Sequence, residues 1–143
     1  MQRPVHPHFE QLLRHKEQAL IELYHDLRNF ILEQNTQCHE LLYHTHALTS
    51  VYSVSPKLGD AFCMIPIYTG HLNLGFNKGT LLDDPQALLQ GTGKLIRHIP
   101  VNQPADYRNA AVTQLLEKAH ELALEDAGTL KAHQELTHSK IKQ

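Results

Sequence analysis

The sequence predicts an α+β domain, in which a mostly antiparallel sheet packs against an N-terminal and a C-terminal helix. Three observations predict it. Apolar residues recur at three- and four-residue intervals over residues 9–34 and again over 104–126, which is the period of an amphipathic helix. Between these stretches lie short runs rich in β-branched and aromatic residues, which favour strands. Helices separated from a run of strands are typical of a sheet covered on one face.

The first helical stretch, residues 9–34, has no internal glycine or proline, and Pro7 precedes it where a helix tolerates a missing N–H. We expect one or two helices here. The apolar positions that define the period are Phe9, Leu12, Leu13, Leu20, Leu23, Leu27, Phe30 and Ile31.

Four strands are expected after Asn35. Thr69 and Gly70 leave hardly any spacer between the last two, which indicates a tight hairpin. The four runs are residues 39–46, 49–54, 61–68 and 71–76.

A short helix and a last strand are expected next. Asp84 followed by Pro85 is a good helix opening, because the carboxylate can accept from free backbone N–H groups, and Gly91 would end the helix. Residues 95–101 then form an apolar segment that we interpret as a strand.

The last helix is expected to run from about Pro104 to Asp126, with Gly128 as its stop. Residues 1–128 would then form the domain. Residues 129–143 are polar and basic, and we expect either a helical extension or a disordered tail.

Composition restricts the classes of partner. Lys and Arg number 13 against 15 Asp and Glu, a formal charge of −2, which is too balanced to favour nucleic acid through a general field. No apolar stretch approaches the length of a membrane span. Cys38 and Cys63 lack redox or zinc spacing, so we expect free thiols in a reducing compartment, with the cytoplasm as the default location.

One stretch of the sequence carries a family resemblance. It contains Leu74-Gly75-Phe76-Asn77-Lys78-Gly79, Leu82, Asp84-Pro85, Leu88-Leu89, Gly91-Thr92-Gly93-Lys94 and Arg97-His98. In order and spacing these residues resemble the signature of the YdhG-like domain-of-unknown-function family, with plausible cover over residues 9–127. The resemblance implies an α+β fold, and one branch of the family consists of frataxin-like iron chaperones. Where members usually have a Trp-Gly segment, this chain has no Trp and carries His44-Thr45-His46.

The glycine-rich stretch is the first candidate site. Glycine-rich turns expose N–H groups that can bind an anion, and cations lie nearby in the sequence. This is not a P-loop, because a Walker motif continues with Ser or Thr where Leu95 follows Lys94. The alternative interpretation is structural: the glycines cap a helix and form a turn, and the cations are solvated. The predicted ligand-binding residues are Lys78, Gly91, Gly93, Lys94, Arg97 and His98.

The second candidate is a metal site, with Fe(II) as the possible ion. His44 and His46 are two apart in a predicted strand and would share a face with Glu40. His71 could add a donor only if its strand is a neighbour. An exposed polar face is the alternative interpretation.

Catalytic residues are not predicted. Glu117 and His120 have a Glu-x-x-His spacing, but di-iron bundles repeat that motif on other helices, so a solvated face is favoured. Cys63 lies among apolar neighbours that would raise its pKa. The sequence therefore favours a non-enzymatic binding module for a small anionic ligand or a protein partner. A ferrous iron chaperone is the alternative, and an enzyme of unknown activity comes third.

Overall fold

A computed structural model describes residues 3–128 and 135–142 of the chain and confirms the α+β class. It contains a six-stranded sheet with helices packed against it. The helices are α1 (Pro7–Leu13), α2 (Gln18–Gln34) and α3 (Ala110–Ala127), and the strands are β1 (His39–His44), β2 (Leu48–Ser53), β3 (Ala61–Ile67), β4 (Leu72–Phe76), β5 (Arg97–Val101) and β6 (Thr137–Ser139).

The sheet has the strand order β5-β4-β3-β2-β1-β6. Strands β1 to β5 pair antiparallel with their neighbours, and β6 pairs parallel with β1. The β3–β4 hairpin is tight, as predicted, and the backbone N–H of Tyr68 donates to the carbonyl of His71 across it. Strands β2 and β3 are therefore the centre of the sheet.

The core lies between one face of the sheet and the helices. Alternate strand residues point towards the helices because side chains alternate along a strand. Those of the sheet include Leu42, Tyr52, Ile65, Ile67, Leu74 and Phe76, and those of the helices include Tyr24, Leu27, Ile31, Val112, Leu115 and Leu116. A smaller cluster on the other face consists of Leu41, Val51 and Ala61, with Tyr43 and Met64 packed against it.

The N-terminal helical stretch is two helices. The interruption falls at residues 14–17, four consecutive polar residues that offer no apolar side chain to the core. The imidazole of His6 accepts from the backbone N–H of His8 and so caps α1.

The prediction of a helix after Asp84 is wrong. The Asp84 carboxylate does accept from backbone N–H groups, those of Leu88 and Leu89 at 3.0 and 2.8 Å, but it closes a single turn. Ala87 takes a φ of 54°, which interrupts right-handed helical geometry, and Gly91 caps no helix. The following strand also begins later than predicted, at Arg97.

The last helix starts later than predicted. Pro104–Asp106 form a separate 3₁₀ turn, and α3 begins after Asn109, whose side-chain oxygen accepts from the N–H of Val112 at 2.9 Å. Gly128 ends the helix with a φ of 68°, as predicted.

The C-terminal tail differs from both expected forms where the structure describes it. Thr137–Ser139 form strand β6, because the free edge of β1 offers backbone partners. The N–H of Glu40 donates to the carbonyl of Leu136, and that of Lys140 donates to the carbonyl of Leu42. Residues 129–134 and 143, to which the tail prediction also applied, lie outside the described residues.

A buried ion pair joins α2 to the sheet. The guanidinium of Arg28 donates twice to Glu40, at 2.7 and 3.0 Å, and their side chains are only 2% and 1% exposed. Tyr52 also donates to Glu40, its hydroxyl shares a hydrogen bond with Ser50, and Tyr24 donates to Ser50. The sheet face under α2 is therefore held by a connected polar network.

No helix in residues 3–128 or 135–142 is long and apolar enough to cross a membrane.

Candidate functional site

The loop after Asp84 folds back onto the turn that follows β4. The backbone N–H and the hydroxyl of Thr80 bond the carbonyls of Leu95 and Lys94, each at 3.0 Å. Gly79 permits the close approach, because a Cβ at this position would lie 2.5 Å from the Cβ of Arg97. The fold therefore brings residues 78–80 against residues 94–97.

Arg97 and His98 hold this loop in place through hydrogen bonds. One Nη atom of Arg97 donates to the carbonyls of Gly93 and Ile96, at 2.6 and 2.8 Å. The backbones of His98 and Gln90 exchange two hydrogen bonds. Gly91, which follows Gln90, has a φ of 130°, a conformation that favours glycine. The side chain of Arg97 and the backbone of His98 therefore hold the shape of the loop.

A groove of about 440 Å³ lies in front of the loop, between it and the turn that precedes β3. We call it the rim groove. Its size is within the range of ligand pockets. Its lining residues are Leu58, Gly59, Ala61, Asn77, Lys78, Gly93, Lys94, Leu95 and Ile96.

The rim groove is apolar with positive charges. Leu58, Leu95 and Ile96 are 50%, 45% and 50% exposed, and the three line the same groove, so they form an exposed apolar patch. Lys78 and Lys94 are the charged residues that line the groove. Lys78 binds the carboxylate of Asp126 at 2.7 Å, at the end of α3.

The predicted anion-site residues are thus divided between two roles. Lys78, Gly93 and Lys94 line the rim groove, whereas Gly91, Arg97 and His98 are not among its lining residues. The apolar members of the groove were not predicted as site residues. Leu95 and Ile96 were assigned to a strand, where alternate apolar residues are expected to be covered.

One residue of the groove lining, Asn77, has an unsatisfied polar atom. It is part of the groove lining, and its Oδ1 is buried without a hydrogen-bond partner among the described residues. Buried acceptors in folded proteins are normally paired. Because that oxygen has almost no solvent-accessible surface, it is not open to a ligand in the groove.

The predicted metal ligands do not converge. His44 ends β1, but His46 lies in the turn before β2, so the expected strand alternation does not extend to it. Glu40 is buried against Arg28. His71 precedes β4, three strand spacings or roughly 14 Å from β1 across the sheet. The described ranges contain no group of three His, Cys, Asp or Glu that could hold a metal ion.

A larger cleft, of about 650 Å³, lies between α3 and the corner joining α2 to β1. Glu117, His120 and Glu121 line it from α3, and Cys38 lines it from the corner. His120 stacks edge-on against Phe62, and burial lowers the pKa of its imidazole. The sequence placed these helix residues on a solvated face, because the opposite wall is about eighty positions away in the chain and has no local signal.

Both thiols are unsuited to nucleophilic chemistry. Cys38 and Cys63 are buried and unpaired. Burial raises the pKa of the Cys38 thiol to about 12 and raises that of Cys63 well above its ordinary value. The interpretation of Cys63 as a core residue agrees with its full burial.

We expect both thiols to resist alkylation in the native protein. A rise of the Cys38 pKa from 9.0 to about 12 lowers its thiolate fraction at pH 8 on the order of a thousandfold, and only the thiolate reacts. Iodoacetamide labelling followed by mass spectrometry should be at least roughly a hundredfold slower in buffer than in guanidinium chloride. Equal rates in the two conditions would contradict the burial of these residues.

Comparisons of the chain with protein-family models, with curated proteins and with solved structures find no match. The YdhG-like resemblance and the activities it implies therefore stay predictions.

Proposed function

We propose that this protein is a binding module for a ligand that carries an acidic group beside an apolar one, and that the ligand occupies the rim groove. The observation that carries the proposal is the lining of that groove. Exposed Leu58, Leu95 and Ile96 lie beside Lys78 and Lys94, and among residues 3–128 and 135–142 no acidic side chain lines the groove.

The acidic group is inferred from the two lysines. Lys78 forms a salt bridge with the carboxylate of Asp126 at 2.7 Å, so a ligand acid at Lys78 would have to compete with that carboxylate. Lys94 carries a second charge on an exposed residue. An exposed ion pair contributes little energy by itself, so the charges would contribute more to the specificity of binding than to its affinity.

The apolar group is inferred from the three exposed side chains. Burial of apolar surface contributes about 25 cal/mol per Å², so covering three aliphatic side chains supplies more energy than one exposed ion pair. Because the loop is braced by Arg97 and Thr80, the groove wall is formed before the ligand arrives. A preformed wall lowers the ordering cost of binding.

Octanoate and octylammonium form a matched pair of probes, since they share an alkyl chain and differ in charge. In a ¹⁵N–¹H titration we expect octanoate to shift the amides of Asn77 and of residues 93–96, and octylammonium to shift them only at several-fold higher concentration. Lys94→Ala should weaken octanoate binding about two- to fivefold, the range of an exposed ion pair. Lys16→Ala is the control, because Lys16 bonds the carbonyl of Tyr68 at the other end of β3.

Equal shifts with both probes would show that the lysines select nothing, and shifts confined to the α3 cleft would place the site elsewhere. Either result contradicts the proposal. The ferrous iron alternative stays a prediction that depends on the sequence resemblance and on the 12 histidines of the chain.

A further inference from the structure

We propose that the α3 cleft, the space of about 650 Å³ between α3 and the corner joining α2 to β1, is a second binding site that takes an organic ammonium ion. The inference goes beyond the proposed function, because the α3 cleft and the rim groove share no lining residue. Three features of the cleft carry it: hydrogen-bond acceptors on both walls, a net negative charge, and an apolar part of the lining.

The wall formed by α3 carries two carboxylates. Glu117 and Glu121 both line the cleft and are four positions apart, so they lie on the same side of the helix. Neither forms a salt bridge in the described part of the chain. Like charges at this spacing repel each other, and a cation bound between them would relieve the repulsion.

The opposite wall adds amide oxygens. The side-chain N–H groups of Gln34 and Asn35 donate to the carbonyls of Phe30 and Ile31, at 3.3 and 3.1 Å. This leaves the amide oxygens of both residues as acceptors on that wall. An ammonium group has three N–H donors and no acceptor, so it matches a cleft with acceptors on both sides. A metal ion matches less well, because the described ranges contain no group of three donors for one.

The charges of the cleft sum to a negative value. No lysine or arginine of the described ranges lines it. Arg3 lies close by, where its guanidinium donates to the carbonyl of Thr36 at 2.9 Å, and its charge can compensate only one of the two carboxylates. His120 adds no charge at neutral pH, since burial lowers the pKa of its imidazole more than Glu121 raises it. Charge complementarity therefore selects a cation.

The rest of the lining is partly apolar. Cys38 and Val54 are buried residues of the lining, and Leu124 is 40% exposed. The imidazole of His120 is held edge-on against Phe62. A ligand that covers Leu124 gains energy from the apolar surface it buries. An ammonium ion with an alkyl chain therefore fits the cleft better than a small inorganic cation does, and the volume is within the range of small-molecule sites.

The two alkyl probes used for the rim groove also test this site, with the opposite order of affinity. In a ¹⁵N–¹H titration we expect octylammonium to shift the amides of residues 35–38 and 120–121, and octanoate to shift them only at several-fold higher concentration. Glu117→Gln and Glu121→Gln keep the side-chain shape and should each weaken octylammonium binding about two- to fivefold. Glu125→Gln is the control, because it removes the same charge from an exposed residue of α3 outside the lining.

A second pair of variants tests the apolar contact. Leu124→Ala truncates an exposed side chain and keeps a good helix former, so the protein should fold normally. We expect it to weaken octylammonium binding about threefold, because less apolar surface is buried, and to leave methylammonium binding unchanged. Leu81→Ala truncates an exposed leucine that does not line the cleft, and its affinity for octylammonium should equal that of the unaltered protein.

The outcomes separate this inference from the proposed function. Octanoate shifts at residues 93–96 with silence of the α3 cleft would overturn the ammonium site and keep the rim groove as a binding site. Octylammonium shifts in the cleft without octanoate shifts at residues 93–96 would do the reverse. Equal affinity of the cleft for both probes, or glutamine variants that bind octylammonium as tightly as the unaltered protein, would show that the carboxylates select no cation and would overturn the inference.

Discussion

Replacing Glu40 with alanine is expected to lower the free energy of unfolding by about 3–5 kcal/mol, the cost of leaving a buried charge without its partner. Arg28 is as deeply buried as Glu40, and its guanidinium donates two hydrogen bonds to that carboxylate. Tyr52 would lose an acceptor as well. Urea unfolding monitored by circular dichroism measures the change.

The matched control removes both charges. In the double variant Arg28→Met with Glu40→Leu no charge is stranded, and we expect most of the lost stability to return. Arg28 also donates to the carbonyls of Arg3 and Pro4, and Pro4 is exposed, so water can replace that bond. If Glu40→Ala itself fails to fold, Glu40→Gln keeps the shape and allows the measurement. A loss below about 1 kcal/mol in Glu40→Ala would contradict the burial of the pair.

The second large effect is expected from Ile65→Ala, which should cost about 2–5 kcal/mol of unfolding free energy. Ile65 has no exposed surface and lies on β3, which both α2 and α3 contact. Ile65 belongs to the core cluster that contains side chains of the sheet and of both helices, so the cavity left by truncation cannot close easily. Chemical unfolding at matched conditions gives the value.

Met64→Ala provides the comparison on the same strand. Met64 is the preceding residue, half-buried on the opposite face of the sheet, and we expect it to cost clearly less than Ile65→Ala. Equal losses at the two positions would mean that both faces of β3 are covered equally. That result would contradict the one-sided layer of helices.

The candidate site was only partly predictable. Lys78, Gly93 and Lys94 were predicted as ligand contacts, and they do line one groove. Leu58 and Asn77 were not predicted, because each gains its place from a turn that meets the loop in space. Arg97 was predicted as a contact but its guanidinium bonds two carbonyls of the loop itself. Residue type identifies a cation, whereas only tertiary structure decides whether that cation is free for a ligand.

The sequence by itself determined the α+β class, the two long amphipathic helices, the four strands between residues 39 and 76 and the end of α3 at Gly128. These features depend on apolar periodicity and on conformational preferences that act over a few residues. They can therefore be read without knowledge of distant contacts.

Tertiary structure alone decided the rest. Thr137–Ser139 became a strand because β1 had a free edge, and the segment after Asp84 did not continue as a helix because the backbone of Gln90 pairs with that of His98. The bonds of Glu40 to Arg28 and of Lys78 to Asp126 join residues 12 and 48 positions apart. Such contacts gain their energy from neighbours that no local pattern encodes, and they determine which surface of this protein remains open to a ligand.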